Sequence, residues 1–480
     1  MKKHKGKILV LFLAVLLVSL LSCENPFLKK MLVEEEKENT VPEKPQPQEP
    51  ANPENPAVPV PKHTVSFSVE GAGGTLKARA DGIAETGVSP ITVEQGKTVT
   101  FTAEPAAGYV VKEWKVDGTV VTGNTENSYI HTVTKAIDVK VSFDAPFVEG
   151  GASLILSPDK LDIKVKAVTS DGSAVAVEGC TETTLASGTY TELHAQGIVV
   201  ILKGKITELY CRSNQLTALN VQGLTALQVL WCTSNQLTAL NVQGLSALQY
   251  LECYSNQLTA LNVQDCTALQ YLLCYNNQLT ALNVQGLSAL QGLSCDNNQL
   301  TELNVQGCTA LQVLGCHNNQ LTALDVQGLS TLKVLGCHNN QLTALDVQGL
   351  STLRELACNN NQLTTLDVQG LNALEKLYCI NNQLTALNVQ GCTALYRLYC
   401  WGNRLNDQTF IKIFNDLPKW DSGDDKWCIL YTEETGVTEG NHTDFTSPAE
   451  LKAAFENAKY VKRWRMCKYN TNGSLGWIEI

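Results

Sequence analysis

The stretch Leu227-x-x-Leu230-x-Cys232-x-x-Asn235-Gln236-Leu237-Thr238-Ala239-Leu240-Asn241-Val242-Gln243-Gly244-Leu245 decides the architecture, because its marked positions return every 21 residues. Cysteines stand at 211, 232, 253, 274, 295, 316, 337, 358, 379 and 400, and asparagines at 214, 235, 256, 277, 298, 319, 340, 361, 382 and 403. Nine full turns run from Ile206 to Ala394, and a tenth begins at Leu395. One such turn cannot bury its own apolar positions. Turns must therefore stack about 4.8 Å apart and share one core. Leu227, Leu230, Leu237, Leu240 and Val242 are predicted to point inward along two short extended arcs. Each asparagine is expected to satisfy backbone groups at a bend and to bond the turns beside it, since buried polar groups need partners. Gly223, Gly244, Gly286 and most of their equivalents are assigned to the opposite bend, where a side chain costs strain; Asp265 interrupts that column.

The opening half of each turn resembles the leucine-rich-repeat pattern, with cysteine at the third leucine. Ten evenly spaced cysteines invite disulfide, metal or redox readings. In-register neighbours on parallel strands point the same way, which suits a disulfide dihedral near 90° poorly. A thiol is also a small hydrophobe at a core position, so the column is read as free, buried and structural. Cys266, Cys308 and Cys392, where other turns carry leucine, are read alike. The cysteine-bearing turn over residues 206–405 resembles the repeat of internalin J and related bacterial surface proteins. That resemblance implies a cell-surface adhesin attached to host or neighbouring cells, and names no ligand.

Outside the repeat the chain changes character. Lys2, Lys3, Lys5 and Lys7 precede the apolar run Ile8–Leu21, an export signal too short for a membrane span of about 20 residues. The run ends at Leu20-Leu21-Ser22-Cys23, which resembles a bacterial lipobox, so Cys23 is expected to carry lipid after removal of residues 1–22. Residues 23–62 are rich in Pro and Glu and read as an extended stalk, some 120 Å long at about 3.1 Å per residue. Residues 63–145 alternate with period two and read as a small β module. Thr100-Phe101-Thr102-Ala103-Glu104-Pro105 with Gly108, Tyr109 and Trp114 resembles the divergent B-repeat module of bacterial surface proteins. Residues 146–205 are read as an N-terminal cap and 406–480 as an α/β C-terminal cap. Within the latter, helices are predicted over Asp407–Leu417 and Ser447–Ala458, and strands over Trp427–Tyr431, Val461–Tyr469 and Gly476–Ile480. The fold class is thus mainly β: a leucine-rich-repeat solenoid with a small N-terminal β domain and an α/β C-terminal cap. Spacing leaves open whether Cys428 and Cys467 pair.

Candidate binding residues come from the positions that vary between turns, three before each cysteine and immediately before and after it. Trp231, Tyr250, Tyr254, Tyr271 and Tyr275 gather over the early turns. Tyr378, Tyr399 and Trp401, with Tyr396 nearby, gather over the late ones. Small residues such as Gly292, Ser294, Gly315, Gly336 and Ala357 lie between, so two outward aromatic patches flanking a shallow trough are expected. Tyrosine and tryptophan on a rigid sheet are common interface anchors; they also stack on sugars. Asp296, His317 and His338 occupy one position in three successive turns. They are read as solvated rather than metal-binding, and the loop Asp421–Asp425 resembles a calcium loop but lacks its full pattern. No nucleophile–base pair, phosphate loop or paired carboxylates appear, and no cofactor or enzyme activity is expected. The net charge of −11 disfavours nucleic acid. The expected function is a lipid-anchored adhesin at the cell surface, on the outer membrane where two membranes exist. Its partner would be a host or bacterial surface protein or glycan. The alternative is an envelope assembly protein that binds other surface proteins through the same face.

Overall fold

A computed structural model describes residues 59–421, 426–433, 439–470 and 477–480, which divide after Asp144 into two units. The signal, Cys23 and nearly all of the stalk lie outside the described residues, as does most of the loop after Asp421. Among the described residues no helix is long and apolar enough to cross a membrane.

The first unit contains nine strands: β1 (Lys62–Glu70), β2 (Gly74–Ala80), β3 (Ile83–Thr86), β4 (Ile91–Glu94), β5 (Thr98–Pro105), β6 (Val110–Val116), β7 (Thr119–Val120), β8 (Ser128–Thr132) and β9 (Ile137–Asp144). They form two sheets, ordered β4-β1-β9-β6-β7 and β3-β2-β5-β8. Period-two alternation sends Val99, Phe101 and Ala103 of β5, and Val139 and Val141 of β9, into one core around the fully buried Trp114. The Trp114 indole N–H donates to the Glu126 carbonyl at 3.0 Å, so the buried ring leaves no polar atom unsatisfied.

The second unit opens with cap strands β10 (Gly151–Ile155), β11 (Asp162–Thr169), β12 (Val175–Glu178), β13 (Thr184–Leu185), β14 (Thr191–His194) and β15 (Val199–Lys203), followed by β16 (Ile206–Tyr210) of the first turn. The cap covers both arcs of that turn. β11 pairs antiparallel with β16, and β10 pairs antiparallel with Ala218–Asn220. From β16 onward the strand of each turn pairs in parallel with the next at a constant offset, as in Leu209↔Leu230 and Leu230↔Leu251. The resulting sheet has 15 strands and ends on Trp427–Thr432, Arg465–Tyr469 and Trp477–Glu479 of the C-terminal cap. Leu227, Leu230, Leu237, Leu240 and Val242 are all buried in one core that runs from cap to cap.

The asparagines do what the period requires. The Asn256 amide donates to the Cys253 carbonyl of its own turn and the Cys232 carbonyl of the preceding one, both at 3.0 Å. Its oxygen accepts from the Leu237 amide at 3.1 Å. Each cap supplies the missing end turn. Asn214 exchanges hydrogen bonds with the backbone of Lys164, at 2.9 and 3.0 Å. At the other end Asn441 takes the place of the next asparagine, accepting from Leu405 at 2.8 Å and donating to Cys400 at 2.9 Å.

All sixteen cysteines from Cys180 to Cys467 are free and buried. Cys266, Cys308 and Cys392 turn their thiols onto the carbonyls of Val242, Val284 and Val368, at 3.4, 3.1 and 3.1 Å. Cys428 and Cys467 sit one residue out of register, since Cys428 opposes Met466 and Ile429 opposes Cys467. Successive strand residues face opposite sides, so the two thiols are directed apart.

Gly244 and seven later glycines, six of them in the same column, hold φ between 68° and 82°. Gly223 and Asp265 do not adopt a positive φ. At Gly223 the requirement is space: a Cβ there would lie 1.8 Å from the Val148 carbonyl oxygen of the docked cap. The bend therefore tolerates Asp265, whereas the first turn needs glycine for a different reason.

In the C-terminal cap, helix α1 spans Asp407–Asp416, with Asn406 accepting from the Thr409 amide at its start. Helix α2 spans Ala449–Glu456 and continues into a π-turn over Asn457–Val461. The strand predicted from Val461 begins only at Arg465. Before it, Lys462 donates to the Phe414, Asn415 and Leu417 carbonyls, capping the end of α1.

Candidate functional site

The sheet of the solenoid has a second face, opposite the core. Because side chains alternate along a strand, the residues flanking each buried leucine project there. Parallel pairing at constant register then stacks equivalent residues into columns. Tyr250, Tyr271, Leu273, Val313, Val334 and Ala357 form an apolar cluster separate from the main core, with Val229, Tyr254, Tyr275 and Tyr378 packed against it.

Register turns single aromatics into stacks. Tyr254 and Tyr275 lie parallel with ring centroids 4.3 Å apart, and Tyr250 and Tyr271 lie parallel at 5.2 Å. In the late turns Tyr378 meets Tyr399 edge-on at 5.1 Å. The structure thus pairs six of the eight rings and packs Tyr378 against the same layer as the early tyrosines, whereas Trp231 and Trp401 find their ring partners outside the predicted set. It also shows how far they are closed off: Tyr250 and Tyr271 are buried, whereas Trp231, Tyr254, Tyr275, Tyr378, Tyr399 and Trp401 are half-buried. The outward patches of the sequence reading are therefore ring edges in a packed layer, and none of the eight rings is fully exposed.

Both patches extend into the caps, where the period gives no guidance. Tyr210, in register with Trp231, contacts it edge-on at 4.7 Å, and Tyr190 of the N-terminal cap meets Tyr210 at 6.3 Å. Trp401 stacks on Tyr469 of the C-terminal cap at 4.5 Å, and Trp427 meets Trp477 at 5.0 Å. Tyr210 was within reach of the repeat, being immediately before Cys211. Tyr190, Tyr469 and Trp477 lie where only the folded chain reveals their neighbours.

Between the patches the expected solvated trough is absent. Asp296, His317 and His338 are each at most 1% exposed. Burial pushes the Asp296 carboxyl up to about 6 and the His317 imidazole down to about 4, and it lowers His338 further in the same direction. The Asp296–His317 contact, at 3.4 Å, is thus no charged pair at neutral pH. His317 and His338 stack face to face at 4.6 Å with planes 3° apart. Ring-nitrogen lone pairs lie in the ring planes, so parallel stacked imidazoles do not converge on one ion. Among the described residues no group of three potential ligands could hold a metal.

A second asparagine column lies outside the first. Asn297, Asn318, Asn339, Asn360 and Asn381 hold φ near 50° and pass amide hydrogen bonds along the stack, at 2.6, 2.9, 2.6 and 2.8 Å. Asparagine is among the few residues that tolerate this left-handed conformation.

Residues 72–146 match the divergent InlB B-repeat domain. The B-repeat match thus begins just before β2 and runs two residues beyond β9. No protein of curated function matches the chain. Among solved structures, the functional domain of InlJ from Listeria monocytogenes, which includes a cysteine ladder, is similar at 30% identity. That match covers 53% of this chain and 62% of that one, with a TM-score of 0.40. The leucine-rich-repeat protein LIC12759 of Leptospira interrogans is similar at 23% identity, over 41% of this chain and 66% of that one, with a TM-score of 0.30. The internalin InlF of Listeria monocytogenes is similar at 21% identity, over 51% and 84%, with a TM-score of 0.33. The chain therefore spans just under two thirds of the length of the InlJ and LIC12759 structures.

Proposed function

We propose that this protein is a bacterial surface adhesin, held to a membrane by lipid at Cys23, whose solenoid binds a macromolecule through the strand face. The observation that supports this most is the pair of stacked aromatic columns on the sheet side opposite the core. A sheet this long presents its rings at fixed spacing, so little side-chain entropy is lost on binding. Tyrosine and tryptophan are also the residues that most often carry interface energy. The half-buried rings Trp231, Tyr254 and Tyr275, with Tyr378, Tyr399 and Trp401 at the other end, are the proposed anchors. Tyr250 and Tyr271 act beneath them as packing.

The test compares the protein with a variant carrying Trp231→Ser, Tyr254→Ser and Tyr275→Ser, for binding to host epithelial cells and matrix proteins. Removing three anchors is expected to weaken binding by at least about tenfold, with the melting temperature showing that both fold. Equal binding by both would overturn the assignment of the early patch. No binding by either, with recovery of a sibling surface protein instead, would replace adhesion with envelope assembly.

A further inference from the structure

The N-terminal cap carries a second site. A cavity of about 580 Å³ opens between β11, the segment around Tyr190 and the first turn. That volume falls within the roughly 300–1,000 Å³ of small-ligand sites. Its rim carries Lys160, Asp162, Lys164, Tyr190, Glu192 and Arg212. Tyr190 is 39% exposed, and Asp162, Lys164, Glu192 and Arg212 are exposed as well.

The charges here form no ion pair with one another, although Arg212 bears electrostatically on the buried Glu252, and Asp162 and Glu192 on His194. The cap's own ion pairs lie elsewhere, at Glu182–His194, Lys203–Glu178 and Lys205–Asp171. Among the described residues, none of Asp162, Lys164, Glu192 and Arg212 makes a salt bridge. Lys160 is fixed by donating to the Ser213 carbonyl at 2.8 Å. Beside the cavity's Tyr190, the Lys166 ammonium sits 4.4 Å from the centre of the Tyr210 ring and 5.8 Å from that of Tyr190.

This lining does not suit the core of a protein interface, which is depleted in Lys, Glu and Asp. A saccharide fits it on three counts. Its C–H face stacks on a tyrosine ring, its hydroxyls donate to carboxylates, and its oxygens accept from ammonium and guanidinium groups. Three cations, Lys160, Lys164 and Arg212, line the cavity against two carboxylates, Asp162 and Glu192, although the chain as a whole carries a net charge of −11. The Arg212 guanidinium presents the planar fork that grips a carboxylate or sulfate in two hydrogen bonds. We propose that this cavity binds an acidic saccharide, a sugar bearing a carboxylate or a sulfate, between the Tyr190 ring and Arg212. The site is independent of the strand-face reading and stands or falls without it.

Isothermal titration of the full-length protein tests it, with a sialylated trisaccharide, a sulfated tetrasaccharide, a neutral trisaccharide and an oligoglutamate peptide as probes. One of the two acidic sugars is expected to bind and the neutral one to bind at least about tenfold more weakly, the loss of one charged contact. Which acidic sugar binds identifies carboxylate or sulfate as the recognised group. Tyr190→Ala and Arg212→Gln should each reduce that affinity by about tenfold, whereas Tyr190→Phe, which keeps the ring, and Arg404→Gln, on the far end of the solenoid, should not. Failure of both acidic sugars to bind would overturn the proposal. So would binding untouched by Tyr190→Ala and Arg212→Gln, or tighter binding of the peptide.

Discussion

Asn277 and Asn339 bear the same side chain at neighbouring positions of the turn, yet they have opposite surroundings. Asn277 is buried; it accepts from the Leu258 amide at 3.0 Å and donates to the Cys253 and Cys274 carbonyls at 3.1 and 3.0 Å. Asn277→Ala would orphan one amide and weaken two carbonyl contacts in the core. At about 1–3 kcal/mol for each unsatisfied buried group, it should lower unfolding free energy by about 3 kcal/mol or more. Asn339 is exposed and has φ 46°. Asn339→Gly removes hydrogen bonds that water replaces while easing the backbone, so its effect should stay within about 1 kcal/mol. Denaturant unfolding of both variants checks this, and equal losses would refute the assignment of the two columns. The inner column was legible because an invariant polar residue between leucines has few explanations other than backbone capping. The outer one shares the same period but is not legible in the sequence, because a left-handed backbone leaves only a weak trace in composition: serine at 213, 234 and 255 takes the same conformation.

At the scale of elements, the repeats and the caps differ in how openly the sequence declares them. A turn repeats its instructions, so Leu230 or Cys232 can be placed from its nine equivalents. A cap is written once. Alternation reveals that Leu161–Ala167 is extended, but not that Lys164 will serve as the turn before Asn214, nor that Asn441 will serve as the turn after Asn403. The same limit explains Tyr190, Tyr469 and Trp477, which join the aromatic rows only through docking. Gly223 makes the docking testable. A Cβ there meets the Val148 carbonyl at 1.8 Å, whereas a Cβ at Gly328 meets nothing within 4 Å and faces only the cost of φ 81°. Gly328→Ala should cost about 1 kcal/mol, in keeping with a single left-handed alanine. Gly223→Ala should cost at least about 2–3 kcal/mol, because cap and first turn must separate. Thermal melts of the two variants decide between them, and a Gly223→Ala protein as stable as Gly328→Ala would mean that the cap does not seat as described.

Over the whole molecule the cysteine column makes stability depend on pH in a way no single turn does. Burial pushes Cys211 and Cys358 up to about 12 and Cys266 and Cys308 up to about 11, and it raises Cys232, Cys253 and Cys295 well above their usual range. Such thiols are protonated and inert at neutral pH, consistent with a structural role. An unfolded thiol loses its proton near pH 8.5. Below that, both states hold the proton, and the thiols' contribution to stability is complete. Above it, the unfolded chain releases protons that the folded chain keeps, so stability falls as pH rises until the folded thiols ionise, from about pH 11 upward. The slope is about 1.4 kcal/mol per thiol per pH unit. Because the turns stack into one core, the thiols should titrate together on unfolding. The protein is therefore expected to lose stability steeply between pH 8.5 and 10.5, a window set by those raised values. Lysines and tyrosines also titrate near its upper end, so the informative quantity is a difference of slopes. A variant with Cys253→Ala, Cys274→Ala and Cys295→Ala should be less stable at pH 7, through lost packing. Its stability should nonetheless decline with pH more gently, by about three protons per unfolding event. Denaturant midpoints measured at several pH values for both proteins give the two slopes. Parallel slopes would mean that the ladder thiols ionise as readily in the folded chain as in the unfolded one, which a dry, continuous core does not allow.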